Sequence, residues 1–323
     1  MYIVSEKFAA DIVPIESVIP LMRHAFEQLG RGQVELLPVA IGKGFGAGTT
    51  FGVKGGLIRG PDILGFKFGS YWPQNAARGL PTHTSCTVLL DPETSFPMAM
   101  IGAKGLSAIR TAALDAVAIE RLSRPDSQTL AMVGSGHLAW WEFVAACRVR
   151  PISRLLVWGP DQAMSERFVA RAKAERGIDA EVTSLAAAVS SADIVITATP
   201  SSVPLVERAW VRAGTHISAM GADVAGKREL SVELVRAGRL YADLVEQSVT
   251  IGEFKDAYAQ GRITRDSITP IASVLSGAAP GRLADEITIF DSSGTALQDL
   301  VIANVVFKEA RARGLATLVD ADL

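Results

Sequence analysis

Two glycines, two positions apart in Val133-Gly134-Ser135-Gly136-His137-Leu138-Ala139, carry the clearest chemical signal in the chain. Gly134 allows a sharp turn, Gly136 leaves room for a pyrophosphate against the backbone, and small Ala139 lets a helix pack closely on a strand. The free N–H groups at the start of that helix would then face the phosphates. The candidate cofactor contacts are therefore Gly134, Ser135, Gly136, His137 and Leu138. A glycine triplet alone can mark any turn, but here the flanks agree: the apolar run Leu130–Val133 reads as a buried strand, and Leu138 to about Arg148 reads as a helix.

Other residues have chemistry that depends on where they point. In Phe66-Lys67-Phe68 the strand alternation puts Lys67 on the face opposite the two phenylalanines. A solvated lysine on an open sheet face is the plainer reading, whereas in a cleft Lys67 becomes a cation aimed at a carboxylate. Arg110 lies near the start of the alanine-rich helix Leu106–Ile119, which ends before Pro125. An arginine there needs an anionic partner, either an internal aspartate or a ligand carboxylate. Thr199 ends the predicted strand Asp193–Thr199 and Asp223 follows the predicted strand His216–Met220, both at the carboxyl ends where parallel sheets bind ligands. A lone aspartate at Asp223 can also cap a turn. His216 starts its strand, at the opposite end, and is read as structural; His24 is read as a surface residue.

These residues must be held by two textures of chain. From Ile15 the apolar residues Val18, Ile19, Met22, Phe26 and Leu29 recur at helical spacing, with Pro20 in the first turns or at a kink. Between Glu35 and about Leu90, short apolar runs broken by Gly and Pro predict several strands joined by turns. After Leu130, strands alternate with helices, as at Arg154–Trp158, Ala186–Ala192 and Ile287–Phe290, which predicts a mostly parallel sheet of the α/β class. The strand Arg154–Trp158 ends in Gly159-Pro160-Asp161 with no basic residue alongside, which favours NAD(H) over NADP(H). A largely apolar helix from Thr295 to about Arg313 is expected to be buried.

At 323 residues, about half of them apolar, the chain can bury a large core in roughly two domains. Thirty-two basic against 34 acidic residues, with no basic block, exclude a nucleic-acid tracker or an anionic-membrane binder. No apolar run approaches the roughly 20 residues that span a bilayer. Glu6-Lys7 comes too early for a leader, so a cytoplasmic location is expected. Cys86 and Cys147 sit far apart in apolar segments and read as two buried thiols, with no metal-type spacing.

The chain resembles the ornithine cyclodeaminase and mu-crystallin family along nearly its whole length. The matching segments, in order, are Leu64-Gly65-Phe66-Lys67, Ile109-Arg110-Thr111-Ala112-Ala113, Val133-Gly134-Ser135-Gly136, Thr197-Ala198-Thr199-Pro200, Met220-Gly221-Ala222-Asp223 with Gly226-Lys227-Arg228-Glu229-Leu230, and Phe290-Asp291-Ser292-Ser293-Gly294. The resemblance implies a homodimer. It also implies a Rossmann-type dinucleotide-binding domain at residues 114–294 and a second, α+β dimerisation and substrate domain built from residues 1–113 and 295–323. It places Lys67 and Arg110 on a substrate carboxylate, Asp223 beside the reacting carbon and nitrogen, and Thr111, Thr199, Pro200 and Ser292 near the cofactor. Lys67 or Asp223 would manage the proton on nitrogen. The family arginine expected after the first helix is missing from Leu36-Leu37-Pro38-Val39-Ala40-Ile41-Gly42.

Phe51–Gly56, Gly69–Asn75 and His83-Thr84-Ser85 resemble a subgroup that acts on iminosuccinate. A diacid imine needs an additional cation, for which Lys54, His83 and Arg78 are the candidates; by pattern alone Lys54 and His83 read equally well as surface or turn residues. The expected function is an NAD(P)H-dependent reductase of a small 2-imino acid, iminosuccinate to L-aspartate in its most specific form. The same chemistry run backwards is an amino-acid dehydrogenase. The alternatives are an ornithine cyclodeaminase, which would want an acidic recess for its substrate's side-chain amine, and a non-catalytic NAD(P)H-binding protein.

Overall fold

The computed structural model describes residues 1–9 and 12–320, so positions 10–11 and 321–323 of the expected substrate domain lie outside the described residues. The chain divides into two compact units, Met1–Arg110 with Thr295–Leu323, and Thr111–Gly294. The division at Arg110 falls inside the helix Leu106–Leu122.

The first unit contains β1 (Tyr2–Val4), β2 (Val34–Leu36), β3 (Ala40–Lys43), β4 (Thr50–Ile58), β5 (Ile63–Tyr71), β6 (His83–Leu90) and β7 (Pro97–Gly102). Its sheet runs from the short strand Thr317–Leu318 through β1, β7, β6, β5 and β4 to β2, with β3 also paired to β4. Neighbours are antiparallel except β1 and β7. The helix Ile15–Gly30 buries Ile15, Val18, Ile19, Met22 and Phe26, and it continues through Pro20.

The last helix, Ala296–Ala312, packs on β4, β5 and β6. It decides which sheet face is inside. A Cβ on Gly65 would touch Leu300 of that helix at 3.1 Å, so the helix lies close against this face. Lys67 shares that face and is buried, while Phe68 on the opposite face is 37% exposed. The solvated reading of Lys67 is thus overturned: the lysine is inside and the phenylalanine outside.

The second unit is a parallel sheet of β8 (Thr129–Val133), β9 (Arg154–Trp158), β10 (Asp179–Val182), β11 (Ile194–Thr197), β12 (His216–Ala219), β13 (Arg239–Ala242), β14 (Ile268–Pro270) and β15 (Thr288–Asp291). The strand order is β10-β9-β8-β11-β12-β15-β13-β14, and every pairing is parallel. Consecutive buried residues in β8, β9 and β11 show that both sheet faces are covered, as continuous apolar runs require. The order reverses at β8, whose neighbours are β9 and β11, which makes a topological switch point there. β11 ends at Thr197, so Thr199 lies in the turn beyond it.

His216 is buried and hydrogen-bonded to Thr288 and Ser218, and burial drives its pKa down to about 3, which keeps the ring neutral. Cys86 and Cys147 are only partly buried, a correction to the expected buried thiols; both border accessible surface. Among the described residues no helix is long and apolar enough to cross a membrane.

Candidate active site

In the first unit, Lys54 on β4 and Lys67 on β5 are directly opposite in the antiparallel register, so both side chains leave the same face. Two like charges so placed repel unless an anion sits between them. The anion is Asp299, in the first turn of the last helix. Its Oδ2 lies 3.1 Å from Lys54 Nζ, and its Oδ1 lies 3.0 Å from Lys67 Nζ and 3.2 Å from Arg110 Nε. Gln298 accepts a hydrogen bond from Arg110 Nη1, and Ser107 Oγ accepts one from Lys67 Nζ at 2.7 Å. Burial alone would raise the pKa of Asp299, but Lys54, Lys67 and Arg110 together hold it well below the usual carboxylate range. Burial pushes Lys67 down to about 8; Asp299 opposes that fall, and Arg110 and Lys54 add to it.

Arg110 therefore has an internal aspartate as its partner. Three cations meet one carboxylate, which leaves an excess of two positive charges (3 − 1 = 2) when all four groups are ionised. His83 does not join them. It pairs with Tyr71 four positions along β5 from Lys67, about 13 Å away on the same face, and it is exposed. Arg78 is exposed at the end of the short helix Pro73–Arg78.

In the second unit the glycine turn joins β8 to the helix His137–Val149. Gly134 has φ +117°, and a Cβ there would strike the Ala198 carbonyl oxygen at 2.6 Å, so two turns approach too closely for any side chain. Gly136 is the helix N-cap in extended conformation, no side chain caps the first turn, and a Cβ at Gly136 would meet open space. First-turn N–H groups with open space before them fit a pyrophosphate. Ser135 Oγ accepts from Ser165 Oγ at 3.4 Å. Asp161 caps the helix Gln162–Arg176 by accepting from Met164 N, so the acid nearest the end of β9 already has a partner.

The remaining predicted residues lie at other strand ends or on helices of this unit. Thr199 is buried, with its hydroxyl and N–H both bonded to Glu229. Asp223 is exposed and paired with Lys227 at 2.6 Å. Ser292 is buried and donates to Asp243 at 2.8 Å. Thr111 is buried on its helix, His137 and Pro200 are exposed, and Leu138 is half-buried. Asp299 and Glu229 were not among the sequence candidates. Asp299 had one available signal, a lone acid near the start of an otherwise apolar helix.

A parallel sheet with a glycine turn at its switch point defines a dinucleotide-binding unit, joined in this chain to a unit in which three cations surround Asp299. The sequence pattern of the ornithine cyclodeaminase/mu-crystallin family matches residues 15–314, and the chain belongs to that family. It is 36% identical to the iminosuccinate reductase of Paracoccus denitrificans over 323 residues, 99% of this chain and 100% of that protein. The crystal structure of that reductase in complex with NAD+ superposes with a TM-score of 0.96, at 35% identity and 99% coverage of both chains. An archaeal alanine dehydrogenase dimer with bound NAD superposes at 0.94, with 30% identity and 99% coverage of both chains.

Proposed function

We propose that this chain is an NAD(H)-dependent imine reductase that acts, as a homodimer, on a small 2-imino dicarboxylic acid, with iminosuccinate giving L-aspartate. The observation that carries the reading is the excess of two positive charges around Asp299, which complements two carboxylates. A basic substrate such as ornithine would meet cations where its side-chain amine needs an acid. The likeness to an NAD+-bound iminosuccinate reductase supports both substrate and cofactor.

The second unit would hold the dinucleotide at Gly134, Ser135, Gly136, His137 and Leu138, with Thr111, Thr199, Pro200 and Ser292 nearby. Bound NAD(H) supplies a hydride for the imine carbon. Arg110 and Lys67 hold the carboxylate next to that carbon, and Lys54 holds the second carboxylate. The fixed fork of Arg110 and the ammonium of Lys67 thereby orient the C=N bond. Two ammonium protons of Lys67 are engaged by Ser107 and Asp299, leaving its third for the substrate. Lys67, titrating near neutrality, or Asp223 manages the proton on nitrogen.

The test is NADH consumption with oxaloacetate, pyruvate or glyoxylate, each offered with ammonia, and ammonia release from ornithine in parallel. Oxidation that is fastest with oxaloacetate plus ammonia is the expected result. Ammonia from ornithine without imine reduction would replace this reading by the cyclodeaminase, and NADH binding without any turnover would replace it by a binding protein. Lys67→Ala and Arg110→Ala should each cost roughly 2–4 kcal/mol in transition-state stabilisation, read as kcat/KM. Lys54→Met should lower kcat/KM for the diacid about tenfold or more and leave the pyruvate-derived imine nearly unaffected. Equal losses on both substrates would remove Lys54 from diacid recognition.

A further inference from the structure

The segment Gly226-Lys227-Arg228-Glu229-Leu230 has no role in the chemistry above, yet its glutamate accepts four hydrogen bonds on one carboxylate. Glu229 is fully buried. Its Oε2 accepts from Thr197 Oγ1 at 2.7 Å and from Gly221 N at 2.9 Å. Its Oε1 accepts from both Thr199 N and Thr199 Oγ1 at 2.7 Å. Thr197 ends β11 and Gly221 follows β12, so one carboxylate ties together the carboxyl ends of two neighbouring strands.

The glutamate is itself held in place. Its own N–H and that of Leu230 donate to the Glu253 carboxylate at 2.6–3.0 Å, and Glu253 N donates to Asp291 at the end of β15. Arg228 N donates to Ser201 O, and Glu229 O accepts from Leu205 N and Val206 N. The carboxylate fills its site completely: a Cβ on Gly221 would lie 2.6 Å from Glu229 Cδ and 2.3 Å from Thr199 O. Thr199 accordingly turns both donors to Glu229, and the atom it brings nearest the glycine turn is its methyl carbon, 3.3 Å from where a Gly134 Cβ would stand.

We infer that Glu229 is a positioning residue that locks the turn carrying Thr199 against the turn carrying Asp223, and so sets the cofactor end of the second unit. The inference rests on the proposed dinucleotide role of that unit. Carboxyl ends of parallel strands are where such units meet their ligands. Four donors on one buried carboxylate fix two turns that no strand pairing reaches. A glutamine at this position would set an amide NH2 against backbone N–H or hydroxyl donors and leave at least one of them unsatisfied.

The test compares wild type with Glu229→Gln and with Thr197→Val, which keeps the side-chain shape but removes one donor from the carboxylate. NADH affinity is read by fluorescence, and amide hydrogen exchange is followed in peptides covering 197–203 and 219–225. Both variants are expected to raise the NADH Kd about tenfold or more and to speed exchange in those two peptides, with the rest of the sheet protected. With an imino acid that is turned over, kcat should fall while the imino-acid KM stays within about twofold. Wild-type affinity and exchange in Glu229→Gln would overturn the inference; should that variant fail to fold, Thr197→Val decides on the same readouts. Loss of protection across the whole sheet would also overturn it, by reducing Glu229 to general stability. Binding and exchange need no turnover, so failure of the imine-reductase reading leaves this result intact. A wild type that binds no NADH would overturn the dinucleotide reading and this inference with it.

Discussion

Asp299 accepts from Lys67 and is ion-paired with Lys54 and Arg110, and Lys67 and Arg110 answer its removal differently. In Asp299→Asn, Arg110 keeps its charge, whereas Lys67 loses the one attraction that opposes its desolvation. Lys67 holds a carboxylate only when protonated, so dicarboxylate affinity is full below pH about 8 and is lost as the pH rises through that value. In Asp299→Asn the loss should come at lower pH, measured as succinate inhibition against pH; an unmoved midpoint would separate Asp299 from Lys67. Stability carries the opposite sign. The native pKa of Asp299 lies below its unfolded value, so its contribution is present above the ordinary carboxylate range and disappears as pH falls through the native pKa. Leaving the buried cations without their counter-charge should cost about 3–5 kcal/mol in chemical denaturation.

At the scale of elements, the helix Leu106–Leu122 is joined to β12 and β15 by a buried polar chain. The Leu122 carbonyl only accepts, so Thr288 Oγ1 donates to it, at 2.8 Å. Neutral His216 is hydrogen-bonded through Nδ1 to Thr288 Oγ1 at 2.9 Å and through Nε2 to Ser218 Oγ at 3.2 Å, and Ser218 Oγ donates to the Asp115 carboxylate at 2.5 Å. Burial, opposed by the hydrogen bond that Ser218 donates and by one shared with Glu142, raises the pKa of Asp115 to about 7. Its folded pKa exceeds the unfolded one, so this stabilisation is fully present below the ordinary carboxylate value and is lost as pH rises through about 7. The melting temperature should therefore fall between pH 5 and 8, and Asp115→Asn, which removes the titrating carboxyl, should flatten that fall; an unchanged slope would place the titrating group elsewhere. Five of the eight parallel strands, β8, β9, β11, β12 and β15, were readable as closed apolar runs bounded by turn signals; β10, β13 and β14 were not, being short, and β10 alternates acids with small or apolar residues. The glycine turn was readable for the same reason, and so was the need of Arg110 for an anionic partner, whereas local pattern favoured a solvated Lys67 and only the family resemblance placed it in a site. The inward face of β5 was not readable, because alternation gives two faces and only the last helix says which is covered. Asp299 and Glu229 were invisible because their partners lie far away in sequence, and a carboxylate's role here is defined by what surrounds it.

At the scale of the whole molecule, Phe51 and Val53 on β4 and Phe68 on β5 are exposed on the sheet face away from the last helix, with Val53 and Phe68 directly paired. An apolar sheet face of this kind suits association with a second copy, and the dimeric archaeal relative supports it. The protein should elute at twice its 34.2 kDa chain mass, and Phe68→Glu should convert it to monomer in light scattering. A monomeric wild type would contradict the homodimer. The first unit is also split in the chain: β5 carries Lys67, and the helix that brings Asp299 to it comes 232 residues later. Synthesis runs from one end, and domains fold as units when their chain is complete. The contiguous second unit can close while its neighbour still waits for a strand and a helix. On the ribosome, then, the dinucleotide fold is ready first, and Lys54, Lys67 and Arg110 meet their counter-ion only when the last helix emerges.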